Sequence, residues 1–173
     1  TAHTLLGGVG NSSSLSQRCQ QQQQEQHQRQ LQLAARNSCT VVWAAAQLQQ
    51  RGMDQTKHMP MIQTYLHCFM AALRLVPVPC DSITSVLQSL ATLLAAQQGS
   101  KRAVTSTETD HWRSVFLRCS DEVVQRIQQQ QPAVASEDVC KVTAACQLVW
   151  AHQVSGITLP DAQLMALLTA LDN

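Results

Sequence analysis

Apolar residues along this chain recur at three- and four-residue spacings, the period of a helix face rather than the alternation of a strand. Leu31, Ala35, Cys39, Val42, Ala46 and Gln49 fall on one stripe that ends at Arg51-Gly52, which predicts a first helix closing near Gln50. A second follows Pro60, a residue suited to a first turn, with Ile62, Tyr65, Leu66, Phe69, Ala72, Leu73 and Val76 as its apolar face. Pro77 and Pro79 stop it, and Asp81 or Ser82 stands where a third helix needs its cap, ahead of Ile83, Val86, Leu87, Leu90, Leu93 and Leu94. The short connection predicts that these two helices pack antiparallel. Gly99 ends the third, and residues 100–109 have the composition of an exposed loop. Asp110 is the expected cap of a fourth helix with Trp112, Val115, Phe116, Cys119, Val123 and Ile127 inward, running out before Pro132. Ser136 opens a fifth with Val139, Val142, Cys146, Val149 and Trp150 inward, and Pro160-Asp161 opens a sixth with Leu164, Leu167, Leu168 and Leu171 on one face.

Three of these helix entrances can be superposed: residues 37–48, 81–92 and 137–148. Each leads into a stripe of small residues, and a unit that recurs in this way predicts stacked helical pairs. Only 3% of residues are aromatic and no stretch alternates with period two, so strands are not expected. The predicted fold is all-α, a short α-solenoid of antiparallel helix pairs over residues 31–173. A lone helix with one apolar stripe does not offset its ordering cost, so neighbours on both sides are required. The sixth helix is expected to start a further pair or to rest on another protein. Residues 1–30 form a low-complexity segment whose Gln-rich tract, 20–30, has too little apolar surface to pack. It is expected to be disordered or to extend the first helix.

Composition narrows the function classes. Only 13% of residues are charged, and twelve Lys and Arg nearly cancel eleven Asp and Glu, so no strong global field draws in nucleic acid or membrane. No apolar run approaches the roughly 20 residues of a membrane span. The seven cysteines are an odd number, and Cys39, Cys68, Cys119, Cys140 and Cys146 fall in apolar helical patterns, which points to reduced thiols in a reducing compartment. A first residue of Thr1 suggests a processed protein or a piece of a longer one. Arg18 and Arg29 among serines and glutamines are compatible with the end of an organellar transit peptide or with a plain linker.

Candidate chemistry is sparse. The cysteines sit on expected packed faces, without the base and electropositive setting of a nucleophile. His67-Cys68 point apart on a helix, and the spacings of Cys140, Cys146 and His152 do not hold ligands on one face, so no metal site is expected. His58, His111 and His152 have the pattern of surface residues. Gly7-Gly8-Val9-Gly10 lacks the Lys-Thr of a phosphate loop. Asp121-Glu122 and Glu137-Asp138 diverge by about a hundred degrees and suit capping or solvated surface. Trp43 and Trp150 are expected in the core, and Trp112, beside His111 and Arg113, is the one expected to be partly exposed. No catalytic residue, cofactor or metal is therefore assigned. RNA contact would fall to Arg51 and Lys57 around one turn, Lys101 and Arg102 in the long loop, and Arg113, Arg118 and Arg126 on the fourth helix. The alternative for these positions is an ordinary solvated helix face.

The stretch Val41-Val42-Trp43-Ala44-Ala45-Ala46-Gln47-Leu48, preceded by Asn37, resembles the second helix of octotricopeptide and heptatricopeptide repeats, in which a leucine-tryptophan-alanine core follows a polar entrance. Residues 86–91 and 142–148 look like degenerate copies. The resemblance implies a right-handed array of helix pairs in a mitochondrion, or alternatively a chloroplast. The family's members bind RNA, process transcripts, or serve as ribosomal subunits. The function it implies is a non-catalytic helical-repeat module of an organellar ribonucleoprotein that binds RNA and neighbouring proteins. A purely protein-binding scaffold is the alternative.

Overall fold

The computed structural model describes residues 11–53, 56–99, 106–129 and 135–172. Among them are six α-helices and no strand: α1 (Asn11–Gln50), α2 (Met59–Leu75), α3 (Cys80–Gly99), α4 (Ser106–Gln129), α5 (Ala135–Ser155) and α6 (Asp161–Asp172), with a single 3-10 turn, Thr56–His58, ahead of α2. The all-α expectation holds. The Gln-rich tract is taken up as an N-terminal extension of α1, and residues 17–30 are exposed at every position.

Local chemistry sets the helix ends. Gly52 takes a left-handed φ of +77°, which lets its amide donate to the Gln49 carbonyl and the Met53 amide to that of Leu48, closing α1 in a Schellman turn. Pro60 sits in the first turn of α2, and the amide of Val76 reaches back to the Ala72 carbonyl. The start of α3 differs from the expected Asp81 or Ser82 cap. The Pro79 carbonyl accepts from the amides of Ser82 and Ile83 at 3.1 and 3.3 Å, so the helix begins at Cys80. α4 begins at Ser106, four residues before the expected cap Asp110, which lies exposed within the helix. The expected loop is thus shorter, and its residues 100–105 lie outside the described residues.

α1 packs against α2 and α3, and α3 packs against α1, α4 and α5. α1, α3 and α5, the helices that carry the three recurring segments, therefore lie side by side. α2 and α4 each pack on the helix before them, α4 touches α6, and the His67 and His111 rings, stacked at 4.9 Å, bridge α2 to α4. The antiparallel packing expected of α2 and α3 is not observed, since α2 and α3 share little contact. Val76 leaves α2 in an extended conformation (φ −138°, ψ 152°), and with Pro77 and Pro79 behind it the four-residue connector can reach up to about 13 Å. That distance sets α3 against α1 instead.

The core centres on α3, where Ile83, Val86, Leu87, Leu90, Ala91, Leu93 and Leu94 are all buried. α1 faces it with Ala35, Cys39, Val42, Ala45 and Ala46, small side chains that let two helix axes approach closely. The tryptophan expectations are reversed. Trp43 and Trp150 are 52% and 46% exposed, whereas Trp112 is 1% exposed. A second reversal explains Trp150. α5 turns Ala144, Ala145, Leu148, Ala151 and His152 inward and leaves Val142, Cys146, Val149 and Trp150 on its outer face, the opposite of the stripe expected to pack. On α6 only Leu167 of the expected face is buried, and Leu164, Leu168 and Leu171 are exposed. Small residues won the inward face of α5 because α3 fills the space between α1 and α5 with leucines, which leaves little room for bulk opposite them.

Replacing Leu90 by Ala should therefore cost about 3–4 kcal/mol in urea unfolding, in the range of fully buried leucines, while Trp43→Ala should cost less than about 1 kcal/mol.

Candidate functional site

Among the described residues, the basic positions fall on separate elements. Arg51 and Lys57 are exposed at either end of the α1–α2 connection, and Arg113 and Arg118 are exposed on α4. Lys101 and Arg102 lie outside the described residues. Arg126 is engaged internally. Its Nε donates to Glu122 Oε1 at 2.8 Å and its Nη1 donates to the Val78 carbonyl, so the guanidinium ties α4 to the α2–α3 connector. The neighbouring Cys80 thiol is pushed up by burial, and the Arg126 charge partly offsets the effect.

A different feature dominates the other end of the molecule. Val142, Cys146, Val149 and Trp150 line the outer face of α5, and Leu164, Met165, Leu168 and Leu171 line α6, all exposed. The two helices splay apart, and a groove of about 430 Å³ opens between them, bounded by Val149, His152, Gln153, Leu159 and Leu164. Apolar patches of this extent are uncommon on isolated soluble domains. The α5–α6 turn that sets the splay is built tightly. Gly156 takes φ +68°, a Cβ there would lie 3.2 Å from Gln98 Nε2, and that amide donates to the Ser155 carbonyl at 2.8 Å. The Ser155 hydroxyl in turn donates to the His152 carbonyl and accepts from the Ile157 amide.

Beneath the groove lies a polar row that runs from the buried His152 and Ser120 out to the exposed Asp121. His152, expected at the surface, is 4% exposed and sits edge-on to Phe116 with ring centroids 4.9 Å apart. Its Nδ1 donates to the Ile157 carbonyl at 2.9 Å, and its Nε2 lies 2.8 Å from Ser120 Oγ. Ser120 Oγ is 3.1 Å from Gln163 Oε1, and Gln163 Nε2 donates to Asp121. A serine and a histidine in contact are the pair that nucleophilic catalysis uses, but this serine is fully buried and meets no solvent. Ser120 was legible as an anomaly: it falls in the inward register of Phe116, Cys119 and Val123, and a buried hydroxyl requires a partner. Nothing in the sequence marked Gln163.

The remaining candidates separate by burial. Cys39 and Cys119 are buried as expected, and desolvation pushes their thiols up to about 11 and about 12. Cys68, Cys140 and Cys146, expected on packed faces, are exposed. Among the described residues no three His, Cys, Asp or Glu side chains group as metal ligands would. No described helix is long and apolar enough to cross a membrane. His111 is half-buried, and neither its Nε2 nor the Trp112 indole N–H finds a partner among the described residues.

In the folded chain, maleimide should label Cys68, Cys140 and Cys146 within minutes and leave Cys39 and Cys119 unmodified, as peptide mass mapping would show. Stability should also fall toward acid. Burial holds the His111 and His152 rings below their ordinary value of 6.5, with the stacked His67 adding to the effect at His111 and the Ile157 carbonyl opposing it at His152. The unfolded chain takes up these protons first, so the contribution of the neutral rings is complete above about pH 6.5 and is lost as pH falls through the depressed native values. Urea midpoints measured from pH 8 to pH 5 test the sign.

No protein-family model, curated protein or solved structure matches this chain.

Proposed function

We propose that the chain is a non-catalytic helical-repeat scaffold, a short α-solenoid, that holds a protein partner on the outer face of α5 and α6. One observation carries the reading: α5 is apolar on two opposite faces, and among the described residues only the small-residue face is packed. A helix apolar on all sides belongs in an interior. Val149 and Leu164 line the groove, and the exposed aromatic Trp150 beside it on α5 is the kind of anchor on which protein interfaces centre.

The second reading is a module of an organellar ribonucleoprotein, mitochondrial or chloroplast, that contacts RNA as well as protein. Its support is the resemblance of residues 41–48 to organellar helical repeats, with Arg51 and Lys57 exposed near one turn and Arg113 and Arg118 exposed on α4. The scattered placement of these cations and the internal engagement of Arg126 favour the protein-binding reading as the main role.

The two readings separate in one experiment on complexes purified from the native cell through a tag on the chain. Val149→Asp combined with Leu168→Asp should reduce recovery of the partner at least about tenfold with an unchanged circular dichroism spectrum, as loss of central interface residues does. Full recovery from that variant would count against the proposal. RNA that copurifies, is released steeply by salt and is lost when Arg51, Lys57, Arg113 and Arg118 are neutralised would establish the second reading.

A further inference from the structure

Five groups from three parts of the chain form a single row: the Ile157 carbonyl, His152, Ser120, Gln163 and Asp121. Both ends of the row, a carbonyl and a carboxylate, only accept hydrogen bonds. The four contacts between them therefore need four hydrogens from the three groups in the middle. With a neutral ring His152 supplies one, Ser120 supplies one, and Gln163 supplies one toward Asp121. The row is then one hydrogen short. The observed arrangement places Gln163 Oε1 on Ser120 and Nε2 on Asp121, so the serine hydrogen goes to Gln163 and His152 has to donate from both nitrogens. Such an arrangement is complete only around an imidazolium.

We infer that this row is a proton-operated latch in which one proton on His152 closes all four links and ties α6 to Asp121 of α4. When the proton leaves to water, Nδ1 keeps its hydrogen on Ile157 and Nε2 accepts from Ser120. The Gln163 amide then turns over to donate to Ser120, and Asp121 is released to solvent. Three links remain, all satisfied. Two influences oppose each other at the ring: burial disfavours the charged form, and the hydrogen bond to the Ile157 carbonyl favours it. The surroundings leave the row as the main route for that charge. Arg118 precedes Ser120 by two residues on α4, Asp161 precedes Gln163 by two on α6, the nearby end of α3 offers the uncharged Gln97 and Gln98, and Lys141 lies three turns away on α5 itself. Because Gln163 adjoins Leu164 and His152 lines the groove, the turnover changes the polarity at the edge of the apolar face. The latch follows from hydrogen-bond counting and does not depend on what that face binds.

Proton uptake and the Gln163–Asp121 link must strengthen each other reciprocally, which makes the idea measurable by NMR. In the intact chain the His152 ring and the Gln163 side-chain amide signals should titrate with one shared midpoint. Asp121→Asn supplies the missing hydrogen, because its amide can donate to Gln163 while the ring stays neutral. Gln163→Leu cuts the row while keeping the Asp121 charge. Each variant should lower the proton affinity of His152 at least about threefold, or ~0.5 pH unit. Asp161→Asn, a neighbouring charge outside the row, should change it by less than about 1.5-fold. The latch is refuted if the Gln163 amide ignores the His152 titration, or if the ring titrates in Asp121→Asn and Gln163→Leu as it does in the unaltered chain. An effect of Asp161→Asn equal to that of Asp121→Asn would also overturn it, since that pattern marks through-space charge rather than the row.

Discussion

Everything in this molecule is arranged around the near-complete burial of α3. Ordinary surface helices bury one stripe, but α3 touches α1, α4 and α5, and its buried positions extend round most of its circumference. Such a helix has no stable state of its own in water, so its formation is tied to the arrival of its neighbours. Even its polar side chains are made internal: the Ser89 hydroxyl donates to the Ser85 carbonyl at 2.7 Å, and Thr84 to that of Asp81 at 3.1 Å, so neither brings an unmet hydrogen-bonding group into the core. The small residues of α1 and α5 follow from the same constraint, since two flanking helices approach a leucine-rich rod closely only if their own side chains are short.

Where one periodic stripe dominates a segment, the sequence was a sufficient guide. α2 has one such stripe between a proline and a proline pair, and its face and ends were legible to within a residue or two. α5 was not legible in the same way, because two different apolar faces wind round it. Periodicity counts Val142, Cys146, Val149 and Trp150 as readily as Ala144, Ala145, Leu148 and Ala151, and nothing local says which set meets α3. The tryptophans show the same limit from another side. Trp43 stands among apolar neighbours and Trp112 among polar ones, yet the first is exposed and the second buried, because the helix face each occupies, not its neighbours in sequence, decides what it meets. Pairing of α2 with α3 failed as an inference because a short connector was equated with a tight turn, whereas two prolines kept it extended. His152 was misplaced because burial of an imidazole depends on partners at Ser120 and Ile157 that are far apart in sequence.

The α5–α6 end concentrates the exceptions to the ordinary arrangement of a soluble domain. Apolar side chains face outward there, while His152 of α5 and Gln163 of α6 turn inward to meet Ser120 of α4. Both exceptions have a physical explanation, though a different one for each. The outward leucines lack a neighbour among the described residues, whereas the inward polar groups satisfy one another. Rigidity of the turn at Gly156, fixed by Gln98, holds the two sets in register.

The long glutamine-rich half of α1 has a mechanical consequence. Its exposed residues 17–30 continue the axis of a helix whose lower half is clamped in the core, so they amount to a rod about 21 Å long set at a fixed angle to the body. With no packed face to hold it, that rod is a marginal helix in water, near the balance point where helices of this length melt and reform. Whatever is attached at its tip is therefore carried on a spacer whose reach changes with every unwinding, short and stiff when helical, longer and compliant when not.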